Sequence, residues 1–174
     1  MDSRVIAYGL LVAAVVGIIV GAAFWTGLIA PLLGDGYDPE VVTDDYERTA
    51  VTVVDGETGA ELGTVEAAVA DTFIKRYVGL SGTDELPEDR GMLFVHESPG
   101  EYTYVMRDMS FGLDIVFVDH DGTITTIHEA PPPAPGEDGN AQEYRGRGQY
   151  VLEVPLGWTA ERGIEAGDEV RFEL

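Results

Sequence analysis

Hydrophobic and polar positions divide the 174-residue chain into three regions. No side chain is charged from residue 5 to residue 33, and a helix of that length is about 43 Å long, more than a bilayer's hydrocarbon core. Residues 35–48 are acidic and show no periodicity. From residue 49 onward, short runs of alternating hydrophobic and polar positions predict strands. We therefore divide the chain into a transmembrane anchor at 1–34, an acidic stalk at 35–48 and a β-rich domain at 49–174.

The charges that flank the uncharged segment predict its orientation. Arg4 precedes the segment, whereas Asp35 and several further acidic residues follow it. Because positive charges favour the cytoplasmic side, we expect a single-pass protein of the cell membrane with its N-terminus inside and its domain outside. The alternative is a cleaved signal peptide, since Val20-Gly21-Ala22 fits a small-residue cleavage site, and the domain would then be secreted.

The pattern after residue 48 predicts many strands and two short helices. The strands are expected at 49–54, 62–70, 91–95, 102–107, 113–118, 123–128, 150–154 and 169–174. The helices are expected at 73–80, with Asp71-Thr72 as the N-terminal cap, and at 159–162. The stretch from 130 to 148, which is rich in Pro and Gly, is expected to be an irregular loop. This order predicts a mostly β (α+β) fold, a compact antiparallel sandwich or partly open barrel, preceded by one transmembrane helix.

A series of short motifs resembles one known family. In order they are PEDRGMLFV, Met106-Arg107, LDIVFVDHDG, IHE followed by prolines, YVLEV, Gly157-Trp158, Gly163-Ile164 and Gly167-Asp168. The chain is similar over residues 64–174 to the domain-of-unknown-function family 192. That resemblance implies a compact β fold of the jelly-roll or open-barrel type, often behind a signal or membrane segment, and it implies no activity. Many relatives carry Cys where Ala134 stands here, so any thiol chemistry of theirs is absent from this chain.

The charge of the chain limits the classes of partner that it can bind. Asp and Glu number 32 against 10 Lys and Arg, which gives a formal net charge of −22. Such a chain lacks the cations that neutralise phosphates, so we expect no nucleic-acid partner. Lys75 is the only lysine, and this composition is typical of a surface adapted to high salt; a surface that collects cations or meets a basic partner is the alternative. The absence of Cys excludes disulfides and thiol nucleophiles.

The candidate chemistry centres on two carboxylates in apolar strands. Asp114 interrupts the alternation of residues 113–118 and needs a cation or several hydrogen-bond donors; Arg107, at the end of the preceding strand, is the nearest candidate. Glu153 shares a face with Val151 by the same period of two. We expect a single polar spot on the sheet, formed by Arg90, Arg107, Asp114, Glu153 and His128.

Three interpretations of this polar spot remain open. It is a structural lock of ion pairs, a pocket for a carboxylated or sugar-like ligand, or a catalytic pair in which Asp114 and Glu153 act as acid and base. Arg145 and Arg147, between glycines, are a second candidate for binding an anion.

Metal and cofactor sites are not expected. His96, His120 and His128 show no HxH or HExxH spacing, and residues 119–122 (Asp-His-Asp-Gly) are typical of a hairpin turn. The leading interpretation is a salt-adapted, membrane-anchored extracytoplasmic binding or accessory module. Its expected partners are the bilayer, through residues 5–33, and an unknown protein or small anionic ligand. The alternatives are a small envelope hydrolase and a partner subunit of another membrane protein.

Overall fold

The computed structural model describes residues 46–81 and 83–174. The strands in this part of the chain are β1 (Arg48–Val54), β2 (Glu61–Ala70), β3 (Arg90–Val105), β4 (Leu113–Val118), β5 (Ile124–Ala130), β6 (Glu143–Pro155) and β7 (Glu169–Arg171). The helices are α1 (Phe73–Val78) and α2 (Trp158–Arg162), and a 3-10 turn covers Gly139–Ala141. The predicted mostly β fold with two short helices is therefore confirmed.

The predicted transmembrane segment and most of the acidic stalk lie outside the described residues. Within them, neither helix has the length and hydropathy needed to cross a membrane. Strand β1 begins at Arg48, one residue before the expected residue 49, and the side chain of Tyr46 is buried.

The strands form one curved sheet in the order β5-β4-β6-β3-β2-β1-β7. The two edge strands approach each other at one end, where Thr123 bridges to Glu169 and the amide of Ile124 donates to the carbonyl of Asp168 at 2.8 Å. The sheet is thus a partly open barrel and not a sandwich. Among the described strands, five of the six pairings are antiparallel. Strands β2 and β3 pair in parallel, because α1 lies in the connection and carries the chain back to the same end of the sheet.

Both faces of the sheet are covered by hydrophobic clusters. The barrel core contains residues from all seven strands, together with Trp158 of α2. The outer cluster covers the opposite face of β3, β4 and β6 and includes Phe94, Phe117 and Leu80, which follows α1. Strand β4 is buried on both faces: Leu113, Ile115 and Phe117 belong to the outer cluster, and Val116 and Val118 belong to the barrel core. The expected alternation of this strand is confirmed.

Strand β6 begins at Glu143, although an irregular loop was expected up to residue 148. Residues 143–148 pair with residues 100–105, so β3 is one long strand with an irregularity after Val95 and not two separate strands. The glycines explain the error. A Cβ atom at position 146 would lie 2.3 Å from Cγ of Phe117, so only glycine lets the strand lie against this ring.

Candidate ligand-binding cavity

A cavity of about 230 Å³ lies on the outer face of the sheet, where α1 approaches β3 and β6. Thr72 precedes helix α1 and caps it: its hydroxyl accepts a hydrogen bond from the amide of Lys75, so the expected cap is confirmed. The helix ends before Gly79, which has a φ of 53°. The cavity is lined by Arg76, Tyr77, Val78, Gly79, Leu80, Ser81, Phe94, His96, Tyr102, Thr103, Tyr104, Val105, Arg107, Met109, Leu113 and Glu153.

Glu153 is the buried acid of this cavity. It lies on β6 between Met92 of β3 and Ile115 of β4, and only 5% of its surface is exposed. Among the described residues, no group donates a hydrogen bond to its carboxyl group and no cation pairs with it. Burial therefore raises its pKa to about 8. At neutral pH the group is mostly a neutral carboxylic acid, which is able to donate a hydrogen bond.

His96 and Tyr104 of β3 form a second polar feature of the cavity wall. The Tyr104 hydroxyl lies 3.0 Å from Nε2 of His96, and the His96 ring stacks on Tyr102 with centroids 3.6 Å apart. Burial and the nearby Arg76 lower the pKa of His96 to about 4, so the ring is neutral. Burial also raises the pKa of Tyr104, so the phenol keeps its proton. The sequence analysis did not select these residues; the signal was that a buried Tyr hydroxyl needs a hydrogen-bond partner.

Two arginines of the cavity are fixed by backbone carbonyl groups and not by carboxylates. One terminal nitrogen of Arg76 donates to the carbonyls of Asp71 (2.7 Å) and Val95 (2.8 Å). The Arg107 guanidinium lies 4.3 Å from the centroid of the Tyr77 ring and donates to the carbonyl of Tyr77. Both side chains are therefore held in place without neutralisation of their charge by an ion pair.

Asp114 is on the other face of the sheet, and its expected pairing with Arg107 was wrong. Its carboxylate, which is fully buried, accepts hydrogen bonds from the amides of Gly157 (3.0 Å) and Thr159 (2.8 Å) and from the Thr159 hydroxyl (2.6 Å). These donors belong to the first turn of α2, so Asp114 caps that helix from a neighbouring strand.

The strand register separates the two buried carboxylates. Asp114 is opposite Val154, whereas Glu153 is opposite Ile115. Directly paired residues share a face and adjacent residues alternate, so Asp114 points to the barrel core and Glu153 to the outer cluster. The two groups cannot flank one substrate bond, and the proposed catalytic pair is wrong.

The other expected site residues lie away from the cavity. Arg90 pairs with Glu66 at 2.7 Å on a half-exposed surface. His128 contacts the carbonyl of Arg145 at 2.8 Å through Nε2. Arg145 pairs with Glu143 at 2.6 Å, and Arg147 lies on the exposed side of β6. Of the seven expected residues, the cavity brings together Arg107 and Glu153.

One group of potential metal ligands occurs in the described residues, at Asp119, His120 and Asp121 in the β4–β5 turn. The Asp119 carboxylate accepts from the amide of His120 (2.8 Å), and the Asp121 carboxylate accepts from the amide of Thr123 (3.1 Å). These hydrogen bonds hold the pKa of both carboxyls below the usual range. They are the bonds of the expected hairpin turn.

Comparison with known proteins gives a family without a described activity. Residues 54–172 match the family DUF192, described as Uncharacterized ACR. The UPF0127 protein of Thermococcus sibiricus is 25% identical over 118 residues, which are 68% of this chain and 73% of that protein.

Two solved structures share the fold. One is a protein of Sinorhizobium meliloti 1021 that has been put forward as a transcription regulator: the TM-score is 0.65 at 25% identity, over 73% of this chain and 95% of that chain. The other is a protein of unknown function from Novosphingobium aromaticivorans, with a TM-score of 0.61 at 30% identity, over 70% of this chain and 83% of that chain.

Proposed function

The chain belongs to the DUF192 family, and we propose that it is a membrane-anchored, extracytoplasmic module that binds a small molecule in the cavity at Glu153. One observation carries the proposal: Glu153, a residue with only 5% of its surface exposed, lines a cavity, and its carboxyl group has no hydrogen-bond partner among the described residues. A buried polar group without a partner costs about 1–3 kcal/mol. A ligand that hydrogen-bonds to this group recovers that energy. Ligand binding therefore explains a buried carboxyl group at this position, whereas core packing does not.

The proposed location depends on residues outside the described part. The uncharged segment 5–33, with Arg4 before it and acidic residues after it, supports an inside N-terminus and an outside domain. We expect the full chain to float with membranes, and protease added outside the cells to remove the domain. A protein that is released into the medium would instead support cleavage after the apolar stretch.

Salt adaptation is the second part of this proposal. The net charge of −22 and the single lysine support it. We expect the free energy of unfolding to decrease when salt is lowered, because the repulsion between carboxylates is then less screened. Equal stability in dilute and concentrated salt would contradict this part alone. The same charge argues against nucleic-acid binding, so the transcription role put forward for the Sinorhizobium meliloti relative is not extended to this chain.

The binding function is tested by a thermal-shift screen of the full chain with small amines, neutral sugars and carboxylates. We expect at least one compound to raise the unfolding midpoint of the wild type but not of Glu153→Met. Glu143→Gln is the matched control, because Glu143 is on the same strand and exposed. If no compound gives a shift that depends on Glu153, the proposed function is wrong.

A partner subunit of another membrane protein is the second candidate function. It is favoured by Phe73, Ile74 and Tyr77, which are 76%, 64% and 60% exposed on α1. Their spacing of one and four residues places them on one side of the helix, and exposed apolar groups of this kind are typical of interaction surfaces. A photocrosslinker at position 74 in the full chain should label a membrane-embedded protein, and Phe73→Ser should abolish the labelling. Labelling that persists in this variant would exclude α1 as the contact.

A further inference from the structure

The cavity contains two of the three described Lys and Arg residues that form no ion pair with a carboxylate. Ion pairs within 4.0 Å join six of the described cations to carboxylates: Arg48, Lys75, Arg90, Arg145, Arg162 and Arg171. In the described ranges, Arg76, Arg107 and Arg147 have no such pair, and two of these three line the cavity. With 32 acidic residues against 10 basic ones, carboxylate partners are abundant in this chain. Two guanidinium groups without an ion pair within 4.0 Å at one cavity therefore favour an anionic ligand.

The two arginines that line the cavity are already held in place by hydrogen bonds. A guanidinium carries five N–H donors, and the bonds to carbonyl groups use two on Arg76 and one on Arg107. The remaining donors have no hydrogen-bond partner among the described residues, while both side chains are held by these bonds and Arg107 also by the Tyr77 ring. Little conformational entropy is then lost when an anion binds.

Glu153 gives the cavity a different kind of contact. The group is neutral at neutral pH and therefore serves as a hydrogen-bond donor and acceptor, not as a negative charge. Tyr104 also lines the cavity, and its hydroxyl, which lies 3.0 Å from Nε2 of His96, has an acceptor lone pair left. A ligand hydroxyl group satisfies both. An amine ligand, in contrast, is disfavoured, because it would lie in a cavity lined by two arginine cations and no ionised carboxylate.

The size of the cavity limits the ligand. Its volume of about 230 Å³ is smaller than the roughly 300–1,000 Å³ of sites for drug-sized molecules. The walls beside the polar groups are aromatic and aliphatic, with Tyr77, Phe94 and Leu113 among them. They fit a short carbon skeleton.

We propose that the cavity binds a small hydroxycarboxylate, such as a hydroxy acid or sugar acid, with its carboxylate on Arg76 and Arg107 and a hydroxyl group on Glu153 and Tyr104. This assignment rests on the proposed binding function and adds the class of ligand.

Calorimetric titration of the full chain with matched probes tests the class. Glucuronate, glucose and glucosamine share a skeleton and differ in charge, whereas lactate and propionate differ by one hydroxyl group. We expect glucuronate to bind at least about tenfold more tightly than glucose, and lactate more tightly than propionate. Tightest binding of glucosamine overturns the anion assignment and leaves the binding function standing. Equal binding of lactate and propionate overturns the hydroxyl contact, and binding of no probe overturns the whole assignment.

Variants locate the anion contact. Arg107→Gln should weaken glucuronate binding about tenfold or more, and Arg107→Lys should weaken it less, because lysine keeps the charge but not the paired donors. Arg147→Gln is the matched control, since Arg147 has no ion pair and lies outside the cavity. Unfolding without ligand shows that each variant is folded; if Arg107→Gln does not fold, Arg107→Lys and Arg76→Gln carry the test. Unchanged affinity in folded cavity variants contradicts the proposal.

Discussion

The two buried carboxylates of this domain are close along the sheet but differ in every other respect. Asp114 on β4 and Glu153 on β6 lie on neighbouring strands and are 0% and 5% exposed. Asp114 receives three hydrogen bonds from the start of α2, whereas Glu153 receives none among the described residues and lines a cavity. Burial alone therefore does not distinguish a structural acid from a ligand-binding one; the hydrogen-bond donors around it do.

The largest expected effect is at Asp114. Asp114→Ala leaves the amides of Gly157 and Thr159 and the Thr159 hydroxyl without their acceptor. We expect the free energy of unfolding to fall by about 3–5 kcal/mol. Chemical denaturation measures this loss. A loss below about 1 kcal/mol would show that water replaces the cap and that Asp114 is not structural.

Substitution of Glu153 should have the opposite sign. Glu153→Met replaces the unpartnered carboxyl with an apolar side chain of similar length and removes its desolvation cost. We expect a gain of about 1–3 kcal/mol in the free energy of unfolding, together with loss of ligand binding. The same denaturation experiment checks the gain. A destabilised Glu153→Met would indicate a structural role for the carboxyl, and the contrast with Asp114 would then be lost.

The pH dependence of stability should come from Glu153 above neutral pH. Its pKa is about 8 in the folded protein and 4.5 as the ordinary value, so the folded state binds the proton more tightly and stability falls as pH rises from 4.5 to 8. His96 acts in the opposite direction, because its pKa is lowered from 6.5 to about 4 and stability rises with pH between these values.

The window from pH 6.5 to 8 therefore isolates Glu153. We expect the wild type to lose about 1–2 kcal/mol across this window. The Glu153→Gln variant, which has no carboxyl proton at this position, should show a flat profile. Parallel curves for the two proteins would mean that another group causes the change.

The smallest effect is expected at Arg90, which the sequence analysis placed in the same polar spot. Its ion pair with Glu66 is half-exposed and lies away from the cavity. Arg90→Gln should change the free energy of unfolding by less than about 1 kcal/mol and leave ligand binding unchanged. Weakened binding of glucuronate in this variant would extend the site beyond the cavity.

Features that depend on residues close together in the sequence were predictable, and features that depend on distant residues were not. The alternation of β4 and the cap at Thr72 depend on neighbouring residues, and both were predicted correctly. The partner of Asp114 was wrong, because the sequence points to opposite charges nearby, whereas the donors are backbone amides 43 and 45 residues away. The first half of β6 was missed because its glycines resemble a loop until Phe117 is seen to pack against them.

The sequence by itself determined the mostly β composition, the family, the face of each residue on β4 and the unusual charge. These properties follow from local periodicity, motif order and residue counts. Only the tertiary structure decided that Asp114 and Glu153 face opposite sides, that β2 and β3 are parallel, and that Arg76 of α1 lines the same cavity as Arg107 and Glu153. The physical reason is that strand register and the packing of a helix against a sheet bring together residues that are far apart in the chain. A local sequence pattern does not predict which hydrogen-bond donors and charges lie close together in the fold.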